Sequence, residues 1–167
     1  MGSQPLGGVP LSTAPICSVL VFLALAAPPA LASADSRDSA AATALIQEGV
    51  KNLLAGQAER ATRQFERAVQ MRPNDPTGYV YLARAHAAAQ RFEEARKVLA
   101  RASIHAREDH KVRYDIELAR GDLFRDEGNK EQARACYKRA AGMRFFNKEA
   151  RRRLKALNSG AAPAQSD

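Results

Sequence analysis

The sequence predicts an all-α fold, in which three helix-turn-helix repeats stack as an α-solenoid and a carboxyl-terminal helix caps the stack. One spacing occurs three times: a small residue, twelve residues to an alanine, four to a bulky apolar residue and three to another alanine. The copies are Gly49/Ala61/Phe65/Ala68, Ala83/Ala95/Leu99/Ala102 and Gly121/Ala133/Tyr137/Ala140. They begin 34 and then 38 residues apart. Repeats of this length made of two helices are typical of solenoids.

Each copy places its small and bulky residues where two helices would meet. Ala61, Phe65 and Ala68 recur at i, i+4 and i+7, so they share one face of a second helix. The earlier small residue, Gly49 in this copy, would let the first helix approach closely. The bulky residue then fills the gap between the helices, and the alanines keep that gap narrow.

The helices are predicted in order along the chain. After a short lead-in over 35–41, the three pairs are expected near 42–55 and 58–71, 76–89 and 92–106, and 109–127 and 130–143. Asp75 can cap the third helix, with Pro76 in its first turn, and Asn129 followed by Gln132 is typical of a helix start. The stretch 107–113 absorbs the four extra residues between the second and third copies. It lacks glycine and proline, so it is expected to lengthen the following helix.

A last helix is predicted near 148–157. Its apolar stripe is Phe146, Ala150, Leu154 and Leu157, and its other side is a basic face of Lys148, Arg151, Arg152 and Lys155. Such a face can attract acidic proteins, nucleic acid or anionic lipid. The preferred interpretation is a solvated surface that keeps the end of the stack soluble. Residues 158–167 are predicted to form a disordered tail.

The repeat resembles the tetratricopeptide repeat. The 34-residue period matches that family, as do the turn glycines Gly56 and Gly128 and the proline Pro73, over roughly 42–142. The second copy departs from the pattern, because Gln90 stands at its turn. The resemblance implies a right-handed α-solenoid of three repeats that binds proteins or peptides and has no enzymatic activity.

In the tetratricopeptide family, the first helices of the pairs line a concave groove that binds extended peptides. By this resemblance the groove positions here are Ile46, Val50 and Leu53, then Val80, Arg84 and Ala87, and then Leu118, Asp122 and Arg125. The groove would change from apolar to charged along its length and would suit a segment of mixed character. Alternatively, Leu53 and Leu118 only pack against neighbouring helices.

One subtype of the family does not match the residues present. Some members clamp the carboxyl-terminal carboxylate of heat-shock chaperones with lysine and asparagine side chains. The matching positions here are Ile46, Val50, Tyr81, Asp115 and Ala119. None of them supplies the positive charge or the amide, so the clamp is expected to be absent.

The amino-terminal 34 residues contain no charged side chain, so the net charge of +8 belongs to the rest of the chain. An apolar stretch over 16–27 precedes two prolines and small-x-small sites that would be cut before Ser33 or Asp35, which is the layout of a signal peptide. An uncleaved membrane anchor is the alternative, but the stretch is shorter than the roughly 20 residues of a spanning helix. We therefore expect a signal peptide over 1–34, a domain over 35–157, and an exported protein that is periplasmic or secreted.

No catalytic or cofactor motif is visible in the sequence. His105, Asp109 and His110 lie close together, but surface positions are preferred over a metal site for them. Cys136 would be the single cysteine after cleavage, so it could form no internal disulfide. A small apolar residue of a helix is preferred for it over an intermolecular disulfide. No catalytic residue, metal or cofactor is therefore predicted.

These observations together predict a non-enzymatic adaptor or scaffold of the cell envelope or secretory space, which binds a partner protein or peptide in its groove. The alternative is a binder of acidic partners or anionic surfaces, a membrane surface among them, through the basic face. Export would separate the chain from nucleic acid, which is therefore not expected as a partner.

Overall fold

The computed structural model describes residues 29–143 and 147–160, which form seven helices and no strand. The helices are α1 (Pro29–Leu54), α2 (Ala58–Met71), α3 (Pro76–Ala88), α4 (Phe92–His105), α5 (His110–Asp126), α6 (Lys130–Ala141) and α7 (Asn147–Ser159). They pair as α1/α2, α3/α4 and α5/α6, each pair packs on the next, and α7 packs on α6. The predicted all-α solenoid with a capping helix is confirmed.

The first helix begins earlier than the sequence pattern predicts. Residues 35–41 were expected to be a lead-in, but α1 runs through them from Pro29. They contain neither glycine nor proline, so nothing breaks the helix. Arg72 Nη1 donates a hydrogen bond to Ser39 Oγ at 2.9 Å, and Ala42 is buried, which ties this part of α1 to the stack.

Some expectations fall on residues that the structure does not describe. These are the apolar stretch and most of the predicted signal peptide within 1–28, Phe146 of the apolar stripe, and the tail from 161 onward. The described beginning of the predicted tail, Asn158–Ser159, is the last part of α7. No helix among the described residues combines the length and the apolar character needed to cross a membrane.

The small residue of each repeat permits the close helix contact that its spacing predicts. A Cβ atom added at Gly49 would lie 2.5 Å from Phe65 Cε1, and one added at Gly121 would lie 2.4 Å from Tyr137 Cε1. Both rings are 0% exposed. In the second repeat, Ala83 replaces the glycine of the first helix and Leu99 replaces the aromatic residue of the second helix. The larger residue on the first helix is therefore matched by a smaller one on the second.

The turns inside the pairs share one backbone conformation, whatever residue is present. Gly56 and Gly128 have φ angles of 72° and 83°, and Gln90 occupies the same position in the second repeat with a φ of 59°. A side chain in this left-handed region costs about 1–2 kcal/mol relative to ordinary helical backbone. Gln90 therefore adopts the geometry that glycine provides in the other two repeats.

Side-chain caps start three of the helices. Asp75 accepts a hydrogen bond from the backbone N–H of Thr77 at 2.9 Å, and Asn129 accepts one from Gln132 at 3.2 Å, as the sequence predicts. Asp109 caps α5. The expectation that 107–113 lengthens the following helix holds in part: 107–109 lie outside the helices, whereas 110–113 begin α5, which has 17 residues where α3 has 13.

A guanidinium group ties the first repeat to the second. Arg91 donates from Nη1 to both carboxylate oxygens of Glu59 at 3.0 Å, from Nη2 to Thr62 Oγ1 at 3.0 Å, and from Nε to His86 Nδ1 at 3.1 Å. These partners belong to α2 and α3, whereas Arg91 precedes α4. Burial and the nearby Arg91 cation lower the pKa of His86. The imidazole therefore favours its neutral form, in which Nδ1 can accept the hydrogen bond.

Candidate functional site

The first helices of the three pairs lie side by side, because α1 packs against α3 and α3 packs against α5. At the α1 end of this row, Ile46 and Val50 are half-buried and contact a core cluster that contains Phe65 and Leu82. Leu53 packs against the same cluster, which supports the packing alternative for this residue in part. Leu54, the next residue, is 74% exposed and was not among the groove positions taken from the resemblance.

The middle of the row differs from the expectation at one position. Val80 was predicted to line the groove, but it is only 3% exposed and belongs to the core cluster between α3, α4 and α5. Its neighbours in that cluster include Tyr79 and Ala83, so the side chain faces inward. Ala87 is half-buried against the same cluster. Val80 therefore stabilises the stack and offers no surface to a partner.

Arg84, on α3, is half-buried, and its guanidinium carbon lies 5.6 Å from the centroid of the Tyr81 ring. Tyr81 in turn stacks on Phe65 with 5.6 Å between the ring centroids. Within the described residues, Arg84 forms no ion pair or hydrogen bond, and its Nε atom is buried without an acceptor. The row therefore holds a positive charge that no carboxylate of the described chain neutralises.

The α5 end of the row is already occupied by internal contacts. Asp122 accepts a hydrogen bond from the Tyr137 hydroxyl at 2.7 Å and pairs with Arg153 of α7 and with Arg125 at 3.2 Å. Arg125 also pairs with Asp126 at 2.8 Å. Both Asp122 and Arg125 were predicted to meet a partner, but the structure gives them partners within the chain. Leu118 is 3% exposed in the core, which favours the packing alternative there.

These contacts set the ionisation of the cluster. Burial opposes the charge of Arg125, but the carboxylates of Asp122 and Asp126 outweigh it, so the pKa of Arg125 is raised. Burial and the neighbouring Asp122 carboxylate raise the pKa of Tyr137. Its hydroxyl therefore stays protonated and can donate to Asp122. The cluster is a fixed ion-pair network that holds α7 on the third repeat.

The basic face of α7 is exposed, as the sequence predicts. Lys148, Arg151, Arg152 and Lys155 all lie on the solvent side. Arg152 pairs with Glu149 at 2.9 Å, whereas the other three form no ion pair within the described residues. Sequence reasoning missed Arg153, which turns inward to Asp122. Its position three residues after Ala150 and four before Leu157 places it on the apolar side of the helix, and this is the signal that could have found it. On the opposite side, Ala150 is buried, and Leu154 and Leu157 pack against the core.

The other residues with reactive or metal-ligating side chains, Cys136 and His105, contact neighbouring side chains of the fold. Cys136 is 1% exposed, Arg139 Nη2 donates to its sulfur at 3.1 Å, and burial raises the pKa of the thiol, all of which suit a core position. His105 stacks on Tyr79 with 5.6 Å between the ring centroids. Among the described residues there is no group of three or more histidine, cysteine, aspartate or glutamate side chains placed to bind a metal ion.

Comparison with solved structures finds the same helical arrangement in proteins of low sequence identity. The TPR domain of Arabidopsis OM64 superposes with a TM-score of 0.59 at 19% identity, covering 74% of this chain and 98% of that one. The first TPR of Spaghetti (RPAP3), bound to the HSP90 peptide SRMEEVD, gives a TM-score of 0.58 at 20% identity, covering 73% and 94%. The amino-terminal domain of stress-induced protein-1 from C. elegans gives 0.55 at 21%, covering 72% and 97%.

Comparison with family models identifies the repeats themselves. Two models described as tetratricopeptide repeat match residues 52–114 and 118–147, which together make up more than half of the chain. No curated protein matches the sequence. The matched ranges contain α2, α3, α4, α6 and most of α5, including the second and third copies of the repeated spacing, and they begin after Gly49. The chain therefore belongs to the tetratricopeptide repeat family.

Proposed function

We propose that this protein is a non-enzymatic adaptor that binds an extended segment of a partner protein along α1 and α3. The observation that carries the proposal is Arg84, a guanidinium group on the row of first helices with no carboxylate partner within the described chain. A buried donor such as its Nε is rarely left without an acceptor. An acidic side chain of a bound segment would supply the missing countercharge.

The apolar residues of the same row of helices indicate a second feature of the partner segment, an apolar side chain. Ile46 and Val50 are half-buried against the same core cluster as Tyr81, over whose ring Arg84 lies, and Leu54 is 74% exposed at the end of α1. A large apolar side chain that is exposed on an interaction module is a candidate anchor point, since burying it in a complex is favourable. The expected partner segment therefore carries a bulky apolar residue and an acidic residue.

The third repeat contributes less to this surface than the sequence suggests. Asp122 and Arg125 are already paired with each other and with Arg153, so a partner would have to break existing ion pairs to use them. The proposed site is therefore centred on the first two repeats.

The carboxylate clamp of chaperone-binding relatives has no counterpart in this site. One similar structure carries an HSP90 peptide. In this chain the corresponding positions include Ile46, Val50 and Tyr81, which provide neither a lysine nor an asparagine side chain. We expect this protein to recognise an internal side chain of its partner rather than the partner's terminal carboxylate. The uncharged amino-terminal segment further suggests that the adaptor is exported and meets its partner in the cell envelope or outside the cell.

The proposal is tested by isolating partners from envelope extracts with the full chain as bait and then measuring the affinity of a peptide from the partner. Arg84→Gln should weaken binding roughly tenfold, because it removes a charge-assisted hydrogen bond. Leu54→Asp should weaken it by removing the apolar contact. The matched control is Arg67→Gln, since Arg67 is an exposed, unpaired arginine on α2. Unchanged affinity in both Arg84→Gln and Leu54→Asp, with helicity retained, would exclude the proposed site on α1 and α3.

A second candidate function rests on the basic face, because Lys148, Arg151 and Lys155 are exposed and have no carboxylate partner in the described chain. Such a face could hold an anionic membrane surface or an acidic protein. Binding through it should weaken steeply with salt, whereas binding on α1 and α3 should survive moderate salt. Changing the three residues to glutamine separates the two functions: loss of binding in this variant, with Arg84→Gln unaffected, identifies the basic face as the working site.

A further inference from the structure

A second surface of the molecule has the features of a binding site, and it does not depend on the adaptor proposal. A cavity of about 470 Å³ opens between the end of α4, the first half of α5, and α6. Cavities of about 300–1,000 Å³ are typical of sites for small organic molecules. Its charged lining residues are four arginines and one glutamate: Arg107, Arg113, Arg120, Arg139 and Glu117.

Two of the arginines are held in place by the single acid. Glu117 accepts hydrogen bonds from Arg120 Nη1 at 3.0 Å and from Arg139 Nε at 2.8 Å. Arg120 also donates to Ser103 Oγ at 2.9 Å. The Glu117 side chain is only 13% exposed, so one shielded carboxylate positions two guanidinium groups and neutralises one of their two charges. These groups are oriented before any ligand arrives, which lowers the entropic cost of binding.

The side chains of the other two arginines have no partner within the described residues. Arg107 and Arg113 are exposed at the cavity, and neither guanidinium group forms a hydrogen bond or an ion pair there. The cavity therefore carries four positive charges and one negative charge, all within the reach of one small molecule. Guanidinium groups match the geometry of carboxylates and phosphates, with which they form paired hydrogen bonds.

The remaining lining residues are Ser103, which accepts a hydrogen bond from Arg120, and the apolar Ala106, Ile116 and Met143. Ala106 and Ile116 are 0% and 3% exposed and form a closed apolar floor, whereas Met143 is half-buried. A ligand with a hydrocarbon or aromatic part would contact this floor and cover the exposed part of Met143 while its charged group meets the arginines. An inorganic ion would leave that part of Met143 in water.

The cavity lies on the opposite side of α5 from the row of groove positions. Arg120 lines the cavity, whereas Asp122 faces α7. These residues are two positions apart in the sequence, which corresponds to about 200° around a helix of 3.6 residues per turn. Both unpaired arginines belong to 107–113, the stretch with four extra residues between the second and third copies of the repeat. This site is therefore a feature of the longer boundary between the repeats rather than of the repeat itself.

We infer that this cavity is a binding site for a small organic anion, whose phosphate or carboxylate group is held by Arg107 and Arg113 beside the preoriented Arg120 and Arg139. The apolar part of the ligand contacts Ile116 and covers the exposed part of Met143. Because the lining comes from the second and third repeats, a bound anion links the two repeats and stabilises their boundary. Binding here would raise the thermal stability of the whole domain, since a ligand that binds only the folded state stabilises it.

The inference is tested with the full chain by titration calorimetry and by thermal unfolding, using phenyl phosphate, phthalate and inorganic phosphate as probes. Phenyl phosphate and phthalate distinguish a phosphate from a carboxylate group, and inorganic phosphate lacks the apolar part. At least one of the organic anions should bind saturably, bind several-fold more tightly than inorganic phosphate, and raise Tm. Absence of saturable binding by both organic probes up to about 10 mM would overturn the inference.

Substitutions locate the binding. Arg113→Gln and Arg107→Gln should each weaken the affinity roughly tenfold, because each removes a charge-assisted contact while leaving an exposed position that tolerates change. Arg67→Gln is the matched control, with the same loss of one charge on α2, away from the cavity. Equal weakening in the control and in the cavity variants would show that the probes respond to the net charge of the protein and would overturn the site.

Discussion

The contact between Gly49 and Phe65 provides a quantitative test of how the repeats pack. In Gly49→Ala, the new Cβ atom would lie 2.5, 2.8 and 2.9 Å from three ring carbons of Phe65, where ordinary contacts are 3.4–4 Å. The ring cannot move into solvent, because Phe65 is 0% exposed and stacks on Tyr81. Helices α1 and α2 must therefore separate, or the ring must leave its preferred rotamer.

The expected cost follows from two opposing effects. Overpacking a well-filled core costs about 1–3 kcal/mol, and an overlap of this size belongs in the upper part of that range. Alanine in place of glycine inside a helix recovers about 1 kcal/mol. Gly49→Ala should therefore lower the free energy of unfolding by about 2 kcal/mol, which corresponds to a fall of roughly 4–8 °C in Tm for a chain of this size.

The assay is urea and thermal unfolding followed by circular dichroism, in two backgrounds. In Phe65→Leu the clash disappears, because the second repeat already pairs an alanine, Ala83, with a leucine, Leu99. Gly49→Ala should be neutral or stabilising by up to about 1 kcal/mol in that background. If Gly49→Ala changed stability equally with Phe65 and with leucine, or not at all, the close-contact explanation of the repeat spacing would be wrong.

Three further predictions concern the turns, the buried histidine and the capping helix. Gln90→Gly should raise the free energy of unfolding by about 0.5–1 kcal/mol in urea unfolding, because it removes a left-handed side chain. The pKa of His86 is lowered in the folded state, so the unfolded chain binds its proton first; stability should fall as the pH drops below about 6.5, the ordinary pKa of histidine. His86→Asn, which keeps an acceptor for Arg91, should flatten that fall. Arg153→Met should cost about 2 kcal/mol and speed hydrogen exchange in α7, because Asp122 loses a charged partner; unchanged exchange would contradict this role.

The pairing of helices could be read from the sequence because its determinants are local. The spacing of Ala61, Phe65 and Ala68 places them on one helix face, and the structure buries all three. Caps such as Asp75 and Asn129 act on the backbone two or three residues away, so their role was also predictable. The early start of α1 was missed because the proline at its first position, Pro29, was interpreted as part of a signal peptide rather than as a helix start.

The candidate site was less predictable, because each groove position also has neighbours from distant parts of the chain. Val80 and Arg84 stand four residues apart on α3, yet Val80 is buried between three helices and Arg84 has no charged partner among the described residues. Asp122 is neutralised by Arg153, which lies 31 residues further along the chain. A periodic pattern assigns a residue to a face but does not say what covers that face.

The sequence by itself determined the repeat, the number of helix pairs and the close helix contacts, because each depends on residue type at a short, regular spacing. The tertiary structure decided which charges remain available. Arg125 is satisfied by Asp122 and Asp126, whereas Arg84 has no carboxylate partner in the part of the chain that the structure describes. The packing also brought Arg107, which follows α4, together with arginines of α5 and α6 around one cavity. The physical reason is that helix formation and capping act over a few residues, whereas the pairing of charges depends on distances set by the packing of whole helices.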